Sequence, residues 1–150
     1  MPFSQLSLKG RALRLLGSRE HSRAELERKL APFEQEPGQL ARTLDELQAR
    51  GFINEQRVVE SVLHRRAARL GASRIRQELQ AKGLDPEAVQ QAVAGLQASE
   101  LERAREVWRR KFGEPPSDAA ERAKQMRFLV ARGFGAEVVR RVVSGADEDE

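Results

Sequence analysis

The chain has 150 residues, 39% apolar, 33% charged and 5% aromatic, with a formal net charge of +4. That suits one ordinary domain or a few small helical modules with modest cores under a highly charged surface. With no cysteine, neither a disulfide framework nor a thiolate zinc site can form; no apolar run nears the roughly 18 residues of a membrane span and residues 1–10 carry no signal-peptide pattern, so a cytoplasmic chain without membrane contact is expected.

In chain order, Leu8, Ala12, Leu13 and Leu16 give a first helix its apolar face, followed by a turn from Gly17 to His21. Ser22-Arg23-Ala24-Glu25 is a capping box: the Ser22 hydroxyl can accept from a first-turn amide while Glu25 reaches back to the cap amide. Leu26 and Leu30 then make the stripe of a second helix, and Leu40, Leu44 and Leu47 that of a third, which stops at Gly51. Val59, Val62, Leu63 and Leu70 mark the next helix and place Arg66 near the middle of their stripe. A guanidinium there needs a carboxylate or helix-end carbonyls, or must snorkel to the edge, and pairing is expected. Ile75 and Leu79 lead to a helix end at Gly83, and Asp85-Pro86 opens another helix as N-cap and first-turn proline. Leu101, Ala104, Trp108 and Phe112 share one face, read as core rather than a base-stacking platform. "GEPPSD" at 113–118 is a loop, with Ser117 or Asp118 capping a helix whose stripe reads Ala123, Met126, Val130 and which ends at Gly133. Phe128 lies off that stripe and is a candidate contact between modules. No segment alternates as a strand would.

This pattern repeats. A shift of 49 residues brings Leu26 onto Ile75, Leu30 onto Leu79, Leu40 onto Val89 and Leu44 onto Val93; a shift of 50 brings 79–93 onto 129–143. A constant offset across core positions predicts an all-α fold of three tandem three-helix, helix-turn-helix-like repeats in an elongated, curved array. The expected divisions are 1–51, 52–98 and 99–146, with an acidic tail at 147–150.

Motifs that carry chemistry are missing. "RGFG" at 132–135 lacks the lysine and spacing of a phosphate loop. His21 and His64 are 43 residues apart with no ligand motif around either, and both are expected to be plain surface residues. A non-enzymatic protein without cofactor or metal is expected. What remains is basic charge. Residues 1–146 carry 27 basic against 19 acidic side chains, or +8, because the last four residues are all acidic. The basic residues fall in runs on successive modules, favouring an anionic partner. The candidate partner- or nucleic-acid-binding residues are Arg23, Arg28 and Lys29 in the first module, and Arg65, Arg69, Arg74, Arg76 and Lys82 in the second. The third contributes Arg109, Arg110, Lys111, Lys124, Arg127 and Arg132.

The segments "REHSRAELERKL" (19–30), "GASRIRQELQAKGLDPEAV" (71–89) and "RFLVARGFGAEVV" (127–139) resemble the signature segments of the RecX family, in family order and over nearly the whole chain. These are bacterial regulators of the RecA recombinase built from tandem three-helix repeats. The resemblance implies a protein that binds the RecA–DNA filament in its helical groove; a monomer is expected, with single- and double-stranded DNA as weaker partners. There it would limit filament growth and dampen strand exchange, ATP hydrolysis and coprotease activity in recombination and DNA repair. One stretch departs from the family: where members often carry an acidic pair followed by phenylalanine and alanine, this chain reads "INEQRVV" (53–59), with Asn54 for one acid and Val58 for the aromatic. A direct DNA-binding helix-turn-helix protein is the alternative reading, and an unrelated helical adaptor for an acidic protein a third.

Overall fold

The computed structural model describes residues 6–145. Among these residues there is no strand, and nine α-helices follow one another: α1 (Leu8–Ser18), α2 (Arg23–Leu30), α3 (Gln39–Ala49), α4 (Glu55–Arg66), α5 (Ala72–Ala81), α6 (Pro86–Gln97), α7 (Glu100–Lys111), α8 (Ala119–Ala131) and α9 (Ala136–Ser144). Among the described residues a 3-10 turn, Ala31–Phe33, extends α2. The acidic tail expected at 147–150 lies outside the described residues. No helix among those described is long and apolar enough to cross a membrane.

Helix starts follow the short polar side chains. Ser22 accepts from the Glu25 amide while Glu25 accepts from the Ser22 amide, completing both halves of the capping box. Asn54, Asp85 and Asp118 cap α4, α6 and α8, each side chain accepting from one first-turn amide. Asn54 and Val58 thus have structural work in this chain: Asn54 caps, and Val58 is buried in a core. Gly83 and Gly133 follow the ends of α5 and α8 with φ of +71° and +93°, a conformation costly for any residue with a Cβ.

Buried side chains form three separate clusters. Leu8, Ala12, Leu26, Leu30, Leu40, Leu44 and Leu47 pack α1–α3. Val58, Val59, Val62, Ile75, Leu79, Val89 and Val93 pack α4–α6. Ala104, Trp108, Leu129, Val139, Val142 and Val143 pack α7–α9. The equivalences Leu30/Leu79/Leu129, Leu40/Val89/Val139 and Leu44/Val93/Val143 are therefore core positions in all three modules. None of these clusters merges two modules, so the chain is an array of three-helix units and not one nine-helix core.

Three expectations need correction. Helix α8 is rotated from the stripe read in its sequence: Gln125 and Leu129 are buried, and Val130 is 54% exposed. Trp108 is the reason. Its indole N–H, buried with the ring, needs an acceptor, and Gln125 Oε1 supplies it at 2.8 Å while Gln125 Nε2 donates to the Glu114 carbonyl. His21 is not a surface residue but 1% exposed. Its Nδ1 lies 3.0 Å from the Arg19 carbonyl and its Nε2 3.1 Å from Lys29 Nζ; those partners suit a neutral ring donating from Nδ1, and burial lowers its pKa. Arg66 pairs with Glu78, Nε to Oε1 at 3.1 Å, as expected, but its side chain is 38% exposed and so lies at the stripe's edge, not its middle.

The modules are joined by one device used twice. At the first joint, the N-terminal end of α2 sits on the C-terminal end of α5: Ser22 Oγ donates to the Lys82 carbonyl at 2.5 Å and Arg28 to the Ala81 carbonyl at 3.2 Å. At the second, α5 sits on α8 in the same sense. Gly71 N donates to the Arg132 carbonyl at 2.8 Å, Ser73 N to Gly133 at 3.2 Å, and Arg74 to Ala131 at 2.8 Å. Carbonyls left over at one helix end thus meet donors carried by the second helix of the neighbouring module. The second helices of the three modules form a row, α8–α5–α2.

Candidate functional site

The basic residues singled out in the sequence fall into two groups once the joints are in place. Several are held by intramolecular partners. Arg23 ties α2 to α3 through Asp45 at 2.8 Å and also pairs with Glu27. Lys82, largely buried, lies 3.5 Å from Glu25 across the first joint. Arg28 and Arg74 donate to the joint carbonyls, and Arg65 lies 3.9 Å from Glu78. Lys29 donates to His21 from the module 1 end of the row. Arg76, Lys124 and Arg127 stand exposed on α5 and α8.

Glu25 is the hub of the first joint. Burial alone would push its carboxyl up, but hydrogen bonds from Arg19 and the Ser22 amide and the charge of Lys82 outweigh that and bring its pKa down to about 2.

The other group converges. Arg69 follows α4, Arg110 and Lys111 end α7, and Arg132 ends α8; all four line one cleft of about 260 Å³ between the second and third modules. Its apolar floor is Ala68, Val107 and Phe128. The Phe128 ring packs edge-on against Phe112, centroids 5.4 Å apart, and carries the Arg132 guanidinium at 4.8 Å and the Lys111 ammonium at 5.4 Å over it. Phe128 therefore belongs to the third core on one side and to the inter-module cleft on the other. Glu106 also lines the cleft and pairs with Arg109 and Arg110 at 2.6 and 3.1 Å, so the cations are held in a splayed fan. Four cations against one carboxylate over an apolar floor give the cleft a net positive lining, the chemistry that attracts phosphates and carboxylates.

Sequence reasoning missed Arg103. It reads as one more member of a basic run, yet it donates to the Ala67, Leu70 and Leu96 carbonyls and to the Ser99 hydroxyl at 2.7–3.1 Å. It is the clamp that sets the cleft's two walls. Nearby Glu100, 8% exposed, accepts from the Ala72 amide at 2.7 Å and so caps α5 from another module, since Gly71 has no side chain to do it.

Family models for the first, second and third three-helix domains of RecX match residues 9–47, 54–93 and 98–143. A Regulatory protein RecX of Leptothrix cholodnii is 58% identical over 145 residues, 97% of this chain and 92% of that relative. One of Ralstonia nicotianae is 52% identical over 147 residues, 98% of this chain and 92% of its own length. The crystal structure of RecX from Lactobacillus salivarius has the same fold, with a TM-score of 0.72 at 20% identity over 94% of this chain and 95% of that one. Three consecutive domain matches in order, at such identity over nearly the full length, make this chain a member of the RecX family.

Proposed function

We propose that the chain is a non-enzymatic regulator that binds the RecA–DNA filament and mainly inhibits RecA recombinase and coprotease activity. The observation that carries the reading is the cleft between the second and third modules. Cations from three separate stretches of sequence meet there, and the Arg103 clamp ties its two walls together. Electrostatics supply attraction and on-rate, while the row of joined helices supplies a fixed shape to fit a helical groove. The relatives' name, Regulatory protein RecX, supports a regulatory role. In this reading the chain acts as a monomer in the cytoplasm and binds single- and double-stranded DNA more weakly than the filament.

The test is a titration of the chain against single-stranded DNA, duplex DNA and preformed RecA filament at one salt concentration. The filament is expected to bind tightest, and naked DNA to bind weakly and with a steep salt dependence. Arg69→Glu with Lys111→Glu, both exposed side chains that donate to no joint carbonyl, is expected to weaken filament binding about tenfold with the helical spectrum unchanged. Naked duplex bound as tightly as filament would make the chain a direct DNA-binding protein instead.

A further inference from the structure

Modules two and three repeat in geometry but not in charge. In module two, carboxylates meet the cations at the helix ends. Glu78 of α5 pairs with Arg66 at 3.1 Å and lies 3.9 Å from Arg65, both at the end of α4. From module one, Glu25 lies 3.5 Å from Lys82 at the end of α5. The repeat locates the equivalent positions one unit further on. Glu78 and Phe128 immediately precede the equivalent core residues Leu79 and Leu129, and Glu25 and Arg74 precede Leu26 and Ile75. Lys82 and Arg132 precede the helix-ending Gly83 and Gly133. The helix-end cations are thus kept, as Arg110 and Lys111 on α7 and Arg132 after α8, while both carboxylates are gone. An aromatic ring stands for one and an arginine for the other. Among the described residues no carboxylate lies within ion-pair distance of Arg69, Lys111 or Arg132, and Glu106 is taken up by Arg109 and Arg110.

We propose that the cleft receives an acidic segment of a partner protein, whose carboxylates meet Arg69, Lys111 and Arg132 as Glu78 and Glu25 meet the helix-end cations of module two. The proposal rests on the regulatory reading for the cleft being the contact surface, and it names the chemistry met there: the protein part of the filament, not its DNA. The chain's own answer to a cluster of helix-end cations is a carboxylate, which accepts charge-assisted hydrogen bonds from them. The apolar floor favours the same choice. A leucine or phenylalanine beside the acids can cover Ala68 and Val107, whereas a sugar–phosphate backbone brings charge and little apolar surface. A base stacked on Phe128 would compete with the guanidinium and ammonium already over its ring.

The experiment uses the full chain and a fluorescein-labelled peptide with two glutamates flanking a leucine, read by anisotropy. Its glutamine counterpart and a labelled oligothymidylate are titrated beside it. The glutamate peptide is expected to bind about tenfold more tightly than the glutamine one, and Arg69→Gln or Lys111→Gln to remove most of that difference with the melting curve unchanged. Phe128→Glu, which restores the carboxylate that module two carries, is expected to abolish peptide binding because the cations are then met from within. If that variant misfolds, the two surface variants decide alone. Equal affinity for the two peptides, or indifference of the glutamate peptide to Arg69→Gln and Lys111→Gln, would overturn the proposal. So would oligothymidylate binding that falls as far as the peptide's with those variants, which would make the cleft a nucleic-acid site. Peptide binding that appears only once the acids at 147–150 are changed to amides would also overturn it, by making the chain's own tail the occupant. Filament titration of the same variants is a separate measurement. Filament affinity lost with peptide binding unaffected would sink this proposal and leave the regulatory reading, whereas the reverse would keep the carboxylate site and remove the filament as its partner.

Discussion

Arg103 reaches four acceptors, and three of them are carbonyls at or beyond the ends of α4 and α6, where the helix dipole is negative. Its guanidinium fork suits several acceptors at once, which an ammonium does not. Arg103→Met is expected to cost about 2–3 kcal/mol in chemical denaturation, the usual size for losing charge-assisted bonds to part-buried carbonyls, and Arg103→Lys to recover only part of it. Glu25 gives a pH-dependent counterpart. Its folded pKa is about 2 against an ordinary value of 4.5, so on acidification the unfolded chain takes up a proton first. Its contribution is complete above about pH 4.5 and is lost as the pH falls through about 2; buried His21, with its lowered pKa, weakens the fold in the same direction below its ordinary 6.5. Glu25→Gln is expected to melt lower than the parent at pH 7, with the difference closing as melts are taken from pH 4.5 down to 2. At this scale the sequence was legible where a residue acts on its own backbone, as Ser22, Asp85 and Asp118 do. It was opaque where a long cation chooses among distant carbonyls: Arg28, Arg74 and Arg103 look no different in sequence from Arg69 or Arg110, because the Ala81, Ala131, Ala67 and Leu70 carbonyls they reach lie 33–57 residues away.

The joints decide what a helix end can tolerate. A Cβ at Gly71 would fall inside van der Waals contact of the Gly133 carbonyl and the Phe134 amide, and backbone cannot swing aside. Gly71→Ala is therefore expected to loosen the α5–α8 joint and lower stability by about 2 kcal/mol, in the range of overpacked sites. Gly95 makes the opposite case. It lies within α6 with open space around the missing Cβ, so Gly95→Ala should raise stability by about 0.5–1 kcal/mol through helix propensity and a less flexible unfolded chain. Urea titrations of the two variants beside the parent check both signs at once. Helix positions and the modular repeat were readable in sequence because caps and leucine spacing are local. The rotation of α8 was not read from its own stripe, although the repeat held the signal: offsets of 49 and 50 carry Leu26 onto Ile75 and Ile75 onto Gln125, which marks Gln125 as a core position despite its polarity. Hydrophobic pattern alone misses a buried amide whose partner, Trp108, lies on another helix.

Across the whole molecule, the cleft sits at a joint and not within one module. Ala68 and Arg69 come from the second module, and Val107, Lys111, Phe128 and Arg132 from the third. The three cores are separate, and none of these packed clusters runs across the joint. The placement of the two walls then rests on the α5–α8 joint and the Arg103 clamp. Loosening the joint with Gly71→Ala should lower filament affinity with every cleft cation intact, because a flexible link must be ordered on binding before both walls can engage. Sites with no shared partner add within about 0.3–0.5 kcal/mol, whereas the joint and the cleft cations act on one contact. Combining Gly71→Ala with Arg69→Glu and Lys111→Glu should therefore weaken filament binding by less than the product of the separate fold-changes. The measurement is a double-mutant cycle on filament affinity. A combined loss equal to that product would place the joint's part in binding outside the cleft.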